Sequence, residues 1–244
     1  MTAYLAAAFV LAAAVFLIWP GMDLWFSGLF HDGEEFYDSD ALETLRYTVW
    51  SASLINALGA MGLWLAWLPL GRAAVVPGRL WGWIVLVHLL GPGIVVNGIL
   101  KEHWGRARPD PVFRGEAQFT RPFIIARECE RNCSFVSGEA AGVAALVIAV
   151  GAVIWRQLDR RRRGVALVVL VGVAAAGGLM RVVTGRHFLS DVIFAWFFVA
   201  FIALALWHLM RVGSARDALT IPGLRADIRA IRGNWGRLRR RIVG

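Results

Sequence analysis

The chain is short of charge, of cysteine and of lysine, and each shortage excludes something. Only 18% of its 244 residues are charged and 58% are apolar, whereas an ordinary soluble domain carries about a quarter charged residues. That apolar share excludes a disordered chain. Its concentration in long runs excludes a soluble nucleic-acid module, so nucleic acid is not expected as a partner. Two cysteines, Cys129 and Cys133, are too few for a disulfide scaffold. Close together in one loop, they can bridge locally or stay as buried thiols. Five histidines, His31, His88, His103, His187 and His208, are scattered without metal-site spacing, so neither a metal nor another cofactor is implied. Among 26 basic residues Lys101 is the only lysine. Basic residues outnumber the 17 acidic ones to give a net charge of +9. Such a surplus in an apolar chain has to be explained by where the charges fall.

Six nearly uncharged stretches approach the ~20 residues needed to span a bilayer. They run over Tyr4–Pro20, Trp50–Pro69, Leu80–Leu100, Ser137–Trp155, Gly164–Met180 and Phe188–Met210. The expected fold is all-α, a polytopic membrane protein of six transmembrane helices with additional interfacial helices. Residues 1–212 form the membrane domain and 213–244 a basic amphipathic tail. The first stretch lacks a basic start and a small-residue cleavage site, so it is read as a retained span and not as a signal peptide. Arginines set the orientation. Arg72 and Arg79 follow span two, Arg156 and Arg160 to Arg163 follow span four, and nine arginines lie beyond Met210. With six alternating spans these segments share one side, which the positive-inside rule makes the cytoplasm, together with both termini. The first outer loop, residues 21–49, carries seven acidic residues and one arginine. The loop from Lys101 to Val136 breaks the rule, holding Lys101, Arg106, Arg108, Arg114, Arg121, Arg127 and Arg131 on the outer side. An anionic ligand there accounts for them.

Three runs at that outer edge carry the chemistry. In Lys101-Glu-His-Trp-Gly-Arg-Ala-Arg108-Pro109 a continued helix would set Lys101 and Arg108 two turns apart on one face, before Pro109 ends it. An ammonium and a forked guanidinium so placed form a phosphate clamp. Taken alone, such charges also fit a plain headgroup anchor. In Cys133-Ser-Phe-Val-Ser137-Gly138-Glu139, Ser137 is a candidate N-cap, and the helix start would offer its free N–H groups to an anion. In Arg181-Val-Val-Thr-Gly-Arg186-His187-Phe-Leu-Ser-Asp191, the His and Asp stand at i and i+4. The carboxylate can then accept one ring proton and leave the other nitrogen for a substrate, and an Asp at a span boundary is costly unless it has such a use. A structural His–Asp staple is the alternative for this run by itself.

Together, in this order and on one side of the membrane, the three runs resemble the signature of the type 2 phosphatidic acid phosphatase (PAP2) superfamily. The motifs cover Lys101 to Asp191, and the span layout extends the likeness over most of the chain. The resemblance implies a metal-independent lipid phosphomonoesterase in a PAP2-type bundle. Catalytic roles fall to His187, as the nucleophile of a phosphohistidine intermediate, to Asp191 as its orienter and to Glu139. Lys101, Arg108, Ser137, Gly138 and Arg181 are phosphate ligands, with His103, Arg106 and Arg186 as auxiliaries. The departure lies at Glu139, where the family has a histidine that protonates the leaving alkoxide. Glu139 can replace it as an acid or act as an acceptor for a substrate hydroxyl. Otherwise His103 supplies the proton, or an acidic leaving group needs none.

The wording Asn132-Cys-Ser-Phe-Val-Ser-Gly-Glu139 after Gly105-Arg-Ala-Arg-Pro109 is similar to the bacterial lipid A phosphatase branch. This implies an inner-membrane enzyme with a periplasmic site and lipid A as the membrane lipid substrate, the 4′-phosphate favoured over the 1-phosphate. Rival readings are an undecaprenyl diphosphate or phosphatidylglycerophosphate phosphatase and a non-catalytic lipid-binding or transport protein. In the tail, Leu224, Ile228, Ile231, Trp235, Leu238 and Ile242 step by four and three between arginines, as in a helix lying on anionic phospholipid of the inner leaflet.

Overall fold

The computed structural model describes residues 2–243, with side chains as far as residue 233. The described residues form no β-strand, only one antiparallel bridge between His31 and Phe36. The chain begins with α1 (Thr2–Ile18), apolar on every face as a lipid-surrounded helix must be. At Pro20 and Gly21 it turns through 83° into the short α2 (Met22–Gly28). Five further helices are long and apolar enough to cross a membrane, and the bent pair makes a sixth if counted as one span. These are α3 (Asp40–Trp67, continued as a 3₁₀ turn to Ala73), α4 (Arg79–His103), α6 (Gly138–Ile154), α7 (Arg160–Val183) and α8 (Leu189–Leu209). The protein is therefore a multi-pass membrane protein.

Within α4 the stretch Leu89–Leu100 is π-helical and contains Pro92. Proline has no N–H to give, and the wider turn lets the Asn97 side-chain amide donate to the Pro92 carbonyl at 2.6 Å. The slip also helps to carry Asn97 and Lys101 to a common cavity. At the centre of the bundle α6 packs against α3, α4, α7 and α8. It can touch four neighbours because its buried positions are small: Ala140, Ala141, Ala144, Ala145 and Ala149. Small residues bring helix backbones close, which in lipid replaces the hydrophobic drive available in water.

Two expectations need correction. The second span does not start at Trp50. Ser39 caps the helix by accepting from the Leu42 N–H at 3.3 Å, so α3 begins at Asp40 and carries charged turns out beyond the apolar run. Nor does Pro109 end a continued helix. The helix stops at His103, Gly105 takes a left-handed φ of 68°, and Pro109 opens a separate short helix, α5 (Pro109–Phe113). Proline at a first helical position has a ready-made φ and no N–H left over.

At the end of the bundle bearing the arginine-rich connections, α9 (Val212–Asp217) packs on α4 and α8 and leads into α10 (Ile221–Val243). The buried Asp227 fastens α10. Its carboxylate accepts from the Val75 N–H (2.8 Å), the Val76 N–H (2.9 Å) and the Trp67 indole (3.1 Å). Leu224 and Ile231 pack against the core, while Ile228 is exposed. The side chains of Trp235, Leu238 and Ile242 lie outside the described residues.

Candidate active site

The opposite end is closed by the long loop between α5 and α6, which folds back onto the bundle through backbone hydrogen bonds. The Ala126 N–H donates to the Trp104 carbonyl, Cys133 to Lys101, Ser134 to Arg106 and Ser137 to Asp191, at 2.8 to 3.1 Å. Cys129 and Cys133 form a disulfide. Beside it Asn132, with a left-handed φ of 51°, turns its carbonyl toward Arg108 Nη2 at 2.8 Å. The loop thus fixes one arm of the proposed clamp.

Lys101, Arg108, Arg181, His187, Gly138 and Glu139 line one cavity of about 310 Å³, with Trp50, Asn97 and Asn132 completing its wall. Six of the residues expected from sequence therefore meet, although they come from α4, α6, α7 and two connections. Ser137 stands just behind as the N-cap of α6, accepting from the Ala140 N–H at 3.3 Å. Gly138 is required by crowding, since a Cβ there would collide with the Asn97 side-chain oxygen. His103 and Arg186 are exposed and take no part in the cavity wall.

His187 is 2% exposed. Its Nδ1 lies 2.8 Å from the Ser134 carbonyl oxygen and 3.8 Å from Asp191 Oδ2. The expected direct bond to Asp191 is thus replaced: the ring proton on Nδ1 goes to a backbone carbonyl, which leaves Nε2 with its lone pair. Burial pushes the imidazole well below its ordinary range, to about 3, so the ring is neutral at physiological pH. Asp191 is occupied elsewhere. It accepts from Arg106 Nη1 at 2.6 Å, from the Ser134 hydroxyl at 2.5 Å and from the Phe188 N–H at 2.9 Å. Asp191 therefore reaches the histidine through Ser134, whose hydroxyl it holds and whose carbonyl holds the ring.

Arg106, read as an auxiliary, lies wholly inside the protein and off the cavity wall. Besides Asp191 it binds the Ser190 hydroxyl (2.8 Å), the Thr120 carbonyl (2.9 Å) and Asp23 (2.8 Å), with its plane over the Phe188 ring. Asp23 also accepts from the Ser190 N–H and hydroxyl, which ties α2 to the start of α8.

Sequence reasoning missed Arg46, Trp50, Asn97, Asp23 and Ser134. Arg46 Nη1 pairs with Glu139 Oε1 at 3.0 Å, and Arg181 Nε stands 3.6 Å from the other carboxylate oxygen. A signal for Arg46 and Trp50 was present: Ser39 before Asp40 reads as a helix start, and a helix from there places them at i and i+4 on one face. Asp23 also carried a signal, as an acid inside the aromatic, apolar run Gly21–Phe30.

A neutral buried imidazole faced by three cations at the end of a helical membrane bundle defines a class, the phosphoryl-handling membrane proteins. Residues 80–213 match the PAP2 superfamily. The lipid A 4'-phosphatase of Francisella tularensis subsp. novicida (strain U112) is 32% identical over 211 residues, covering 80% of this chain and 89% of its own. That of Rhizobium leguminosarum is 31% identical over 202 residues, covering 75% and 84%. That of Rhizobium etli (strain ATCC 51251 / DSM 11541 / JCM 21823 / NBRC 15573 / CFN 42) is 38% identical over 110 residues, 44% of this chain and 41% of the relative. No solved structure matches. The chain belongs to the PAP2 superfamily and is a phosphoric monoester hydrolase.

Proposed function

We propose that the protein removes the 4′-phosphate of lipid A at the periplasmic face of the bacterial inner membrane, through a phosphohistidine on His187. The observation that carries this reading is the convergence of Lys101, Arg108 and Arg181 on the cavity that His187 faces. Phosphoryl transfer is chiefly positioning and neutralisation of spread negative charge, and three cations with a helix N-terminus supply both. The Ser134 carbonyl holds Nδ1–H, so Nε2 is the attacking atom. In the first step the Nε2–P bond forms, the P–O bond to the sugar breaks, and the leaving oxygen takes a proton from solvent water, which the attacking water of the second step returns. In the second, water attacks phosphorus and the P–N electron pair returns to Nε2. Asp191 orients the histidine through Ser134. The Gly138 end of α6 holds the phosphate oxygens, with Ser137 shaping that helix start. Glu139 exchanges a hydrogen bond with the sugar.

Lipid A as substrate is supported by the names of the relatives. The outward side is supported by the arginines, which gather at the end of the bundle opposite the cavity: Arg79 donates to Ser214 and Arg156 pairs with Asp217. Both termini are then cytoplasmic, and Arg225, Arg229 and Arg232 of α10 face anionic phospholipid there. The test is to incubate purified protein with lipid A labelled at the 4′-phosphate and quench within one turnover. Labelled, acid-labile phosphoprotein is expected in the wild type and none in His187→Ala, with turnover lowered by at least about 10⁴-fold. Label retained by His187→Ala overturns the mechanism, and release of unlabelled phosphate alone, from the 1-position, overturns the substrate position.

A further inference from the structure

The cavity has two chemically different sides. One is cationic, formed by Lys101, Arg108 and Arg181. The other is formed by Trp50, Asn97 and Glu139, and none of these is a cation. Asn97 donates one amide N–H to the Pro92 carbonyl, which fixes its side-chain oxygen beside the start of α6, where Gly138 leaves room for it. Glu139 is held as an ion pair by Arg46, one turn along α3 from Trp50, a residue that is 48% exposed. The second side therefore offers an aromatic side chain and two acceptors.

We propose that Trp50, Asn97 and Glu139 form a saccharide subsite that accepts the hydroxyl and amide donors of an acylated aminosugar while the phosphate lies on the cations; this rests on the phosphatase reading above. An aromatic face packs against the apolar C–H face of a pyranose, and acceptors are satisfied only by a leaving group that carries donors. An alkyl or isoprenyl phosphate has none, so binding it leaves the Asn97 oxygen desolvated without a donor, and the Glu139 carboxylate with no partner beyond its arginines. Sites built to pair a substrate hydroxyl or amide reject analogues that lack it by about 10⁴-fold or more. Arg46 is a positioning residue, acting on the sugar through Glu139.

The test compares kcat/KM for two probes in the same detergent micelles, a 2,3-diacylated glucosamine 4-phosphate and dodecyl phosphate. The wild type should favour the sugar phosphate by at least a hundredfold. Trp50→Ala and Asn97→Leu should each lower that ratio tenfold or more, and Trp50→Tyr should restore most of it. Because the readout is a ratio within one preparation, a folding defect lowers both rates and leaves it unmoved. A wild-type ratio near one, or a ratio unchanged in Trp50→Ala and Asn97→Leu, overturns the subsite while leaving the phosphatase reading intact. Hydrolysis of neither probe by the wild type overturns both.

Discussion

Two aspartates are buried at opposite ends of this bundle, and they are satisfied in different ways. Among the described residues Asp227 accepts only from neutral donors, two backbone N–H groups and an indole, and it fastens α10 to the turn after α3. Asp191 is matched by a buried guanidinium, which also holds Asp23, so one arginine and two aspartates form a single buried network. A carboxylate met by dipoles serves as a local clamp. One paired with a charge links whatever its partner touches, here α2, α8 and the loop bearing Ser134. The difference teaches where perturbation should spread and where it should stay local.

The largest expected effect breaks the charged end. Arg106→Met leaves two carboxylates buried without a counter-charge, a loss of about 3–5 kcal/mol. In thermal unfolding of the detergent-solubilised protein this corresponds to a fall in Tm of about 10 °C. Phosphatase activity per folded molecule should fall with it, since Asp191 then loses its hold on Ser134. A variant that melts like the wild type would show that Arg106 does not support the network.

The neutral end should yield less, and separately. Asp227→Asn keeps the volume and one acceptor oxygen but turns an amide N–H₂ toward at least one of the three donors, at a cost of about 1–3 kcal/mol. Activity per folded molecule should match the wild type, because Asp227 sits across the membrane from the cavity. Lost activity with unchanged Tm would mean that the two ends are coupled and the comparison fails.

Legibility in the sequence follows the same division. Apart from the start of α3, the spans were readable to within a few residues from apolar length, because lipid imposes length on a helix more strictly than water does. That Lys101, Arg108, Arg181 and His187 meet was readable too, since such residues are costly at a span end without a partner, and they line one cavity. What failed was assignment of partners. Spacing joined His187 to Asp191, yet the i,i+4 geometry left 3.8 Å between them. Arg106, hidden between two basic neighbours in the sequence, took the carboxylate instead. The start of α3 was missed because charge was taken to end a span, when Ser39 shows the helix continuing beyond the membrane and bringing Arg46 and Trp50 to the site. Asn97 became visible only through the π-helical register, which hydropathy does not encode.

The last effect, absent at neutral pH, is a dependence on acid that belongs to the histidine end. Folded, His187 titrates at about 3 because burial disfavours its charged form, whereas the same ring in the unfolded chain titrates at about 6.5. Above the unfolded value both states are neutral there and His187 contributes no pH dependence. Between about 6.5 and 3 the unfolded chain binds a proton that the folded protein refuses, so stability falls as pH falls, by at most about 1.4 kcal/mol per unit. His187→Gln removes that proton uptake while keeping a polar side chain. Over pH 6.5 to 4 the wild-type Tm should decline more steeply than the variant's, and the curves should run parallel from pH 7 to 8. Parallel curves throughout would mean that the folded ring takes up its proton over the same range as the unfolded one. Burial would then not be what keeps Nε2 unprotonated, and the histidine end would lose the feature that sets it apart from the neutral end.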